Sequence, residues 1–316
     1  MNKALGVFLI LLVNAIFAFV FSLEQFALVH SYPFFITGLR TLLGGIILGG
    51  YQYYTNKQSF SFLKVKSFSF MLWLFFLIAF FNVYLTNGAE IWGLQYVSGA
   101  KTAFIYNLAP FFSAFFSYIY FNEHMNAKKF LGLILAFLGF MPAILVQTQC
   151  EKNLSHIGFF SSADIALLLA TFSFVYGWVL VQQVIKLNEY DIRAVTIITM
   201  LFGALMCFIH SGITEPWDPI PFKQGGDWNS LWLLILIMVI FSNIIAHVAY
   251  TALLRRYTAT FLSFTSFTSY FCAALYDWYF SGLLVPWQCW VGTIVFGIGL
   301  YIFYKEELKQ GYVTHS

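Results

Sequence analysis

Residues 94–140, LQYVSGAKTAFIYNLAPFFSAFFSYIYFNEHMNAKKFLGLILAFLGF, read as an apolar helix, a short charged hairpin and a second apolar helix. Each helix has about the length needed to cross the ~30 Å of hydrocarbon in a bilayer. The pattern returns 160 residues later, ungapped, over residues 254–300, LRRYTATFLSFTSFTSYFCAALYDWYFSGLLVPWQCWVGTIVFGIGL. Leu94 aligns with Leu254, Ser98 with Thr258, Gly132 with Gly292 and Gly139 with Gly299. The register extends upstream, where Phe81 meets Phe241, Asn82 meets Ser242, Asn87 meets His247 and Ala89 meets Ala249.

Composition agrees with a membrane setting. Hydrophobic residues make up 60% of the chain and charged residues 9%, so a water-soluble surface cannot be built from it and the chain reads as an all-α integral membrane protein. The net charge of +3 comes from scattered basic residues rather than a patch, so nucleic acid is not an expected partner. Ten transmembrane helices are expected, at about 4–23, 33–53, 69–91, 98–120, 128–147, 162–183, 192–211, 229–251, 258–279 and 286–304. A cytoplasmic N-terminus places Lys3, Lys57, Lys64, Lys66, Lys128, Lys129, Lys186, Arg193, Arg255, Arg256, Lys305 and Lys309 inside, with Lys152 and Lys223 outside. This excess puts both termini in the cytoplasm. The first span has no clear cleavage site and is expected to be retained. Five spans per half is an odd number, so the second half enters the membrane in the opposite sense: two inverted five-helix repeats, residues 1–150 and 151–316.

Several motifs carry a family resemblance: SYPFFITGLRTLLGG around Pro33 and Arg40, LQYVSGAKTAFIYNLAPFFSAFF with Pro110, FNEHMNAKKFLG with Glu123, and SSADIALLLATFSFVYGW opening the second half. With them the chain resembles the ten-span drug/metabolite transporter superfamily, in its EamA-like branch, over nearly its whole length. The resemblance implies inverted repeats around a central cavity and passage of small metabolites without ATP hydrolysis. It further implies that Phe17, Tyr106, Asn107, Tyr176 and Trp178 border that cavity. In one departure, Tyr270 and Leu283 stand where members often repeat the proline and glutamate of the first half.

Polar groups inside spans are costly and therefore informative. Arg40 offers a planar fork of donors to a substrate carboxylate, or forms a structural ion pair with Glu24 or Glu90. Glu90 follows Asn87 by three residues and shares its helix face, and the counterpart helix carries Asn243, His247 and Tyr250. These two stripes are read as cavity walls, with polar contacts between helices as the alternative. His247, taken as the one histidine inside a span, either carries a coupling proton or is bonded within the bundle. Lys101 either snorkels to the interface or meets an anion, and Asp164 suits a helix N-terminus. Asp277 lies near the end of a hydroxylic helix with Thr260, Ser263, Thr265, Ser266, Thr268, Ser269 and Tyr270, which either bonds to its neighbours or hydrates a pathway. Glu123, His124, Lys128 and Lys129 are expected in a solvated hairpin. Gly45 and Gly49 suit close helix approach. The four cysteines show no metal-ligand spacing, and no essential disulfide is expected.

The candidate substrate site is thus Arg40, Asn87, Glu90, Tyr106, Asn107, Trp178 and His247, with no catalytic residue, metal or cofactor. No phosphate-binding glycine loop with lysine, H-E-x-x-H or G-x-S-x-G motif is present, so an enzyme is not expected. The expected function is secondary transport by alternating access in a bacterial cytoplasmic membrane. Aromatic faces, carboxylates and Arg40 together suit an amphipathic zwitterion, an amino acid or a derivative such as S-adenosylmethionine. Export of aromatic compounds or drugs, nucleotide or nucleoside exchange, and a receptor or enzyme role are the alternatives. Expected partners are the small-molecule cargo, membrane lipids, and protons or a counter-substrate; monomer and dimer both stay open.

Overall fold

In hydrocarbon every backbone N–H and C=O must be satisfied within the chain, which selects helices. A computed structural model, describing residues 3–55, 68–121, 126–187, 192–257, 262–263 and 265–310, is accordingly mostly helical. The first half comprises α1 (Lys3–His30), α2 (Pro33–Thr55), α3 (Phe68–Ile78), a π-helical segment (Ala79–Leu85) running into α4 (Thr86–Leu94), α5 (Gly99–Tyr106), α6 (Ala109–Phe121) and α7 (Ala127–Leu145). A one-turn helix α8 (Gln149–Lys152) and two short antiparallel strands, β1 (His156–Ile157) and β2 (Phe160–Ser161), lead on. The second half comprises α9 (Ser162–Leu187), α10 (Ile192–Thr214), α11 (Trp228–Met238), a second π-helical segment (Val239–Ala246) running into α12 (His247–Leu254), α13 (Phe267–Ser281) and α14 (Trp287–Gln310).

Seven helices among the described residues are long and apolar enough to cross a membrane: Gly6–His30, Pro33–Thr55, Leu72–Leu94, Ser162–Ile185, Arg193–Thr214, Trp228–Leu254 and Trp287–Glu306. The other three expected spans are shorter or interrupted. The fourth breaks at Asn107 and Leu108 between α5 and α6, the fifth is the 19-residue α7 with Pro142 inside it, and the ninth is represented by the 15-residue α13. The expectation of a purely helical chain is corrected by the β1–β2 hairpin. The first span is also longer than expected, since α1 continues to His30 and takes in Glu24. Lys57, Lys64, Lys66, Glu123, His124, Thr258 and Thr260 lie outside the described residues.

The bundle is apolar outside and polar within. Phe8, Leu11, Phe130, Leu138, Ile294 and Ile298 are exposed, whereas Glu24, Arg40, Asn82 and Glu90 are buried. Such a surface is stable facing lipid, not water. The main helix contacts are α2 with α10, α7 with α14, α1 with α13 and α4 with α9. Between α7 and α14, backbones touch at glycines: a Cβ on Gly132 would lie 2.7 Å from the Gly299 carbonyl oxygen, and one on Gly139 would lie 2.6 Å from that of Gly292. The pairs cross in register, so the helices run antiparallel there. Gly45 likewise admits the Leu201 side chain, 2.9 Å from where its Cβ would stand.

One end of the bundle is latched by polar contacts. Glu215, at the end of α10, accepts hydrogen bonds from the backbone N–H groups of Phe34 and Phe35 at 2.6 and 3.0 Å, capping α2. Lys223 donates to the Leu28 carbonyl at 2.7 Å, and burial lowers its ammonium pKa from the ordinary value. Asp277 accepts from the backbone N–H of Ala100 at 2.7 Å, so it anchors the start of α5 rather than wetting a pathway. Asp164 and Ser161 cap α9 reciprocally, with the Ser161 N–H donating to Asp164 at 2.9 Å and the Asp164 N–H to the Ser161 hydroxyl at 3.1 Å.

Lys101 corrects both of its expected roles. Its ammonium is held by the fully buried carboxylates of Glu151 and Asp164, the latter at 3.0 Å, tying α5 to α8 and α9. Lys101→Met leaves those carboxylates uncompensated, so a loss of on the order of 1–3 kcal/mol in thermal unfolding is expected, with cargo affinity unchanged. Lys129 is not in a solvated hairpin either: it is 1% exposed, with its ammonium 5.6 Å from the Phe303 ring centroid.

Candidate functional site

The two π-helical segments sit at matching positions, Ala79–Leu85 and Val239–Ala246, offset by the repeat length. A π turn widens the helix and loosens its hydrogen-bond ladder, and such turns occur frequently at functional sites. Here side chains take up carbonyls of the first segment: Thr86 Oγ1 donates to the Phe81 oxygen at 2.7 Å and Asn87 Nδ2 to the Val83 oxygen at 2.7 Å. That bond fixes the Asn87 amide with its oxygen turned toward Arg40, whose Nη2 donates to it at 2.6 Å.

Around these segments lies a narrow central cavity of about 90 Å³. α1 supplies Asn14, Phe17 and Phe21, and α2 supplies Arg40 and Thr41. The first π segment and α4 supply Asn82, Asn87 and Glu90, while the second π segment and α12 supply Asn243, His247 and Tyr250. α5 adds Tyr106, α9 adds Phe174 and Trp178, and Ser263, Ser266 and Ser269 complete the wall before and within α13.

Its electrostatics centre on one cation and two carboxyl groups. Arg40 Nη1 lies 2.6 Å from Glu24 Oε1, both side chains being buried. Glu90 accepts a hydrogen bond from the Tyr106 hydroxyl and meets the Glu24 carboxyl. Arg40 is the only lysine or arginine among the described lining residues. On the wall itself Arg40 stands with Glu90, and the second carboxyl group, Glu24, is buried behind them against Arg40.

Aromatic rings form much of the remaining wall. Trp178 lies 4.4 Å from Tyr250 and 4.9 Å from His247 between ring centroids, and Phe174 meets Tyr106 at 5.7 Å and Tyr250 at 6.0 Å. Asn82 Nδ2, Asn243 Oδ1 and Trp178 Nε1 are buried without a hydrogen-bond partner among the described residues. Buried polar atoms are normally bonded, so these three are available to a guest.

Six of the seven residues chosen from sequence, Arg40, Asn87, Glu90, Tyr106, Trp178 and His247, line this one cavity. Asn107 does not: it caps the end of α5, buried and outside the lining. Tyr176 packs against Phe81 and Phe116 instead. His247 is not alone among spans, because His210 lies within α10 and contacts the Tyr84 hydroxyl at 2.7 Å. The reading missed Asn14, Asn82 and Phe174. Asn14 was findable as an isolated amide in an apolar run.

An apolar exterior around a polar, aromatic-walled chamber defines a multi-pass helical membrane protein built to admit a small molecule. Residues 4–144 and 161–305 each match the EamA-like transporter family. The chain belongs to that family, and so to the drug/metabolite transporter superfamily. Among its relatives, an S-adenosylmethionine/S-adenosylhomocysteine transporter of Chlamydia muridarum is 32% identical over 99% of this chain and 96% of its own length. A transporter of that name from Chlamydia trachomatis serovar L2 is 30% identical over 99% and 93%. The uncharacterized transporter YvbV of Bacillus subtilis is 25% identical over 71% of this chain and 69% of its own. A crystal structure at 14% identity shares the fold with a TM-score of 0.63, covering 96% of this chain and 97% of that one.

Proposed function

We propose that the protein is a secondary carrier exchanging S-adenosylmethionine for S-adenosylhomocysteine. The observation that carries this reading is the charge cluster at the central cavity, the lining Arg40 and Glu90 with the buried Glu24 behind them, beside an aromatic wall. S-adenosylmethionine brings a flat adenine, a carboxylate, an ammonium and a sulfonium. Its adenine suits the faces of Trp178 and Tyr250, its carboxylate suits Arg40, and its sulfonium supplies the positive charge that the Glu24–Glu90 pair lacks. S-adenosylhomocysteine lacks the sulfur-bound methyl group and with it that charge, so a proton on the carboxyl pair replaces the charge during return. The names of the two chlamydial relatives support the same cargo.

In this reading the chain spans the membrane ten times as two inverted five-helix repeats, residues 1–150 and 151–316. Both termini are cytoplasmic, the membrane is the bacterial inner membrane, and no chemical conversion of the cargo occurs. Support comes from the two successive family matches, the paired π segments and the reciprocal contacts Gly132 to Gly299 and Gly139 to Gly292. Halves packed in this way favour alternating access by rocking around a midplane site.

Proteoliposomes loaded with S-adenosylhomocysteine should accumulate labelled S-adenosylmethionine, and empty ones should not. Glu90→Gln should reduce uptake of the sulfonium cargo at least tenfold, about 1.4 kcal/mol, and that of S-adenosylhomocysteine far less. Equal losses for both would dismiss the charge-matching role, and exchange of nucleosides or aromatic amino acids without S-adenosylmethionine flux would dismiss the cargo.

A further inference from the structure

Among the described residues, four asparagines line the central cavity: Asn14, Asn82, Asn87 and Asn243. Two of them have their amides committed. Asn14 Nδ2 donates to the Thr265 carbonyl at 2.7 Å and to the Thr268 hydroxyl at 3.0 Å, while Asn87 is held between the Val83 carbonyl and Arg40. The other two leave opposite halves of the amide open. Asn82 has no partner for its Nδ2 donor and Asn243 none for its Oδ1 acceptor among the described residues, although each residue is only 7% exposed. A buried amide group left unbonded is costly, so a free donor and a free acceptor on one wall point to a ligand that supplies both bonds.

Both amides are seated on glycines. A Cβ on Gly177 of α9 would stand 2.6 Å from the Asn82 Cβ, and one on Gly44 of α2 would stand 2.8 Å from the Asn243 Cβ, so each glycine makes room for its asparagine. The two seats also adjoin the aromatic wall. Gly177 directly precedes Trp178, and Asn243 comes four residues before His247, whose ring centroid lies 4.9 Å from that of Trp178.

A purine edge answers such a pair. The edge of adenine remote from the ribose presents an exocyclic 6-amino donor beside the ring-nitrogen acceptor N1, whereas a 6-oxopurine presents an acceptor and a donor at the same two places. We propose that Asn243 Oδ1 accepts from the 6-amino group of the cargo while Asn82 Nδ2 donates to N1, so that the cavity selects adenine over hypoxanthine. This selectivity rests on the S-adenosylmethionine reading and deepens it. A 6-oxopurine sets oxygen against the Asn243 oxygen and N–H against the Asn82 amide, and a site built to bond a polar group rejects the analogue that strands it.

Proteoliposomes carrying the full-length protein, loaded with S-adenosylhomocysteine and taking up labelled S-adenosylmethionine, are challenged from outside with unlabelled S-adenosylhomocysteine or with its 6-oxo analogue, S-inosylhomocysteine. The adenosyl compound should compete better by about tenfold or more. Asn82→Ala and Asn243→Ala, assayed singly, should each bring that ratio toward one; the ratio, unlike total uptake, does not follow the amount of folded protein. Equal competition by the two compounds in the wild type, or a wild-type ratio in both variants, overturns the adenine contacts and leaves the carrier reading standing. Absence of S-adenosylmethionine flux in the wild type overturns both.

Discussion

Arg40→Ala is expected to abolish cargo uptake and to destabilise the fold by about 3–5 kcal/mol, the usual cost of removing one partner from a buried ion pair. The guanidinium is 1% exposed and holds Glu24 with one nitrogen and Asn87 with another. Without it, Glu24 and Glu90 face each other with no compensating charge on the lining. Loss of activity alone would not separate a structural arginine from one that meets the cargo. Arg40→Lys makes that separation, because it keeps the charge while losing the planar fork that reaches both partners. The lysine variant should recover most of the thermal stability and little of the uptake. Wild-type uptake in Arg40→Lys would confine this residue to holding helices together.

Gly139→Leu should be the most damaging substitution outside the cavity. A Cβ at this position stands 2.4 Å from the Phe296 backbone nitrogen, so the obstruction is main chain and cannot swing aside. Helices in lipid associate through packing rather than through expulsion of water, which makes small residues at their contacts decisive. The loss should exceed the ~1–3 kcal/mol typical of an overpacked core and appear as reduced folded yield. Gly299, the counterpart in the other half, meets the Ala136 backbone nitrogen at the same 2.4 Å. Gly139→Ala and Gly299→Ala should therefore cost similar amounts in detergent melting. A large inequality would mean that the two halves do not share the contact equally.

Most of the central chamber was legible because the membrane makes each buried polar group conspicuous. Arg40, Glu90 and His247 stand out in apolar text, and the repeat pairs Asn87 with His247. What escaped was local geometry. The phase of a π turn cannot be read from a pattern of ordinary helical period, so neither bulged segment was anticipated, and Asn82, which lies inside one, was passed over. Asn107 looked suitable through its neighbour Tyr106, but the chain turns there and carries its amide off the wall. Lys101 was read from its depth alone, whereas its partners Glu151 and Asp164 come from elements more than forty residues away. Helix ends were the other weak point: the first span was ended at residue 23, so Glu24, although named as a partner for Arg40, was left off the helix that carries it.

The bulged turns also carry a historical implication. An irregularity occupying the same place in both halves is most simply inherited once, by a half-length ancestor, and then copied with the rest of the gene. A present-day relative of only five helices should therefore carry the bulge too, and would have to acquire its second wall by meeting another copy of itself.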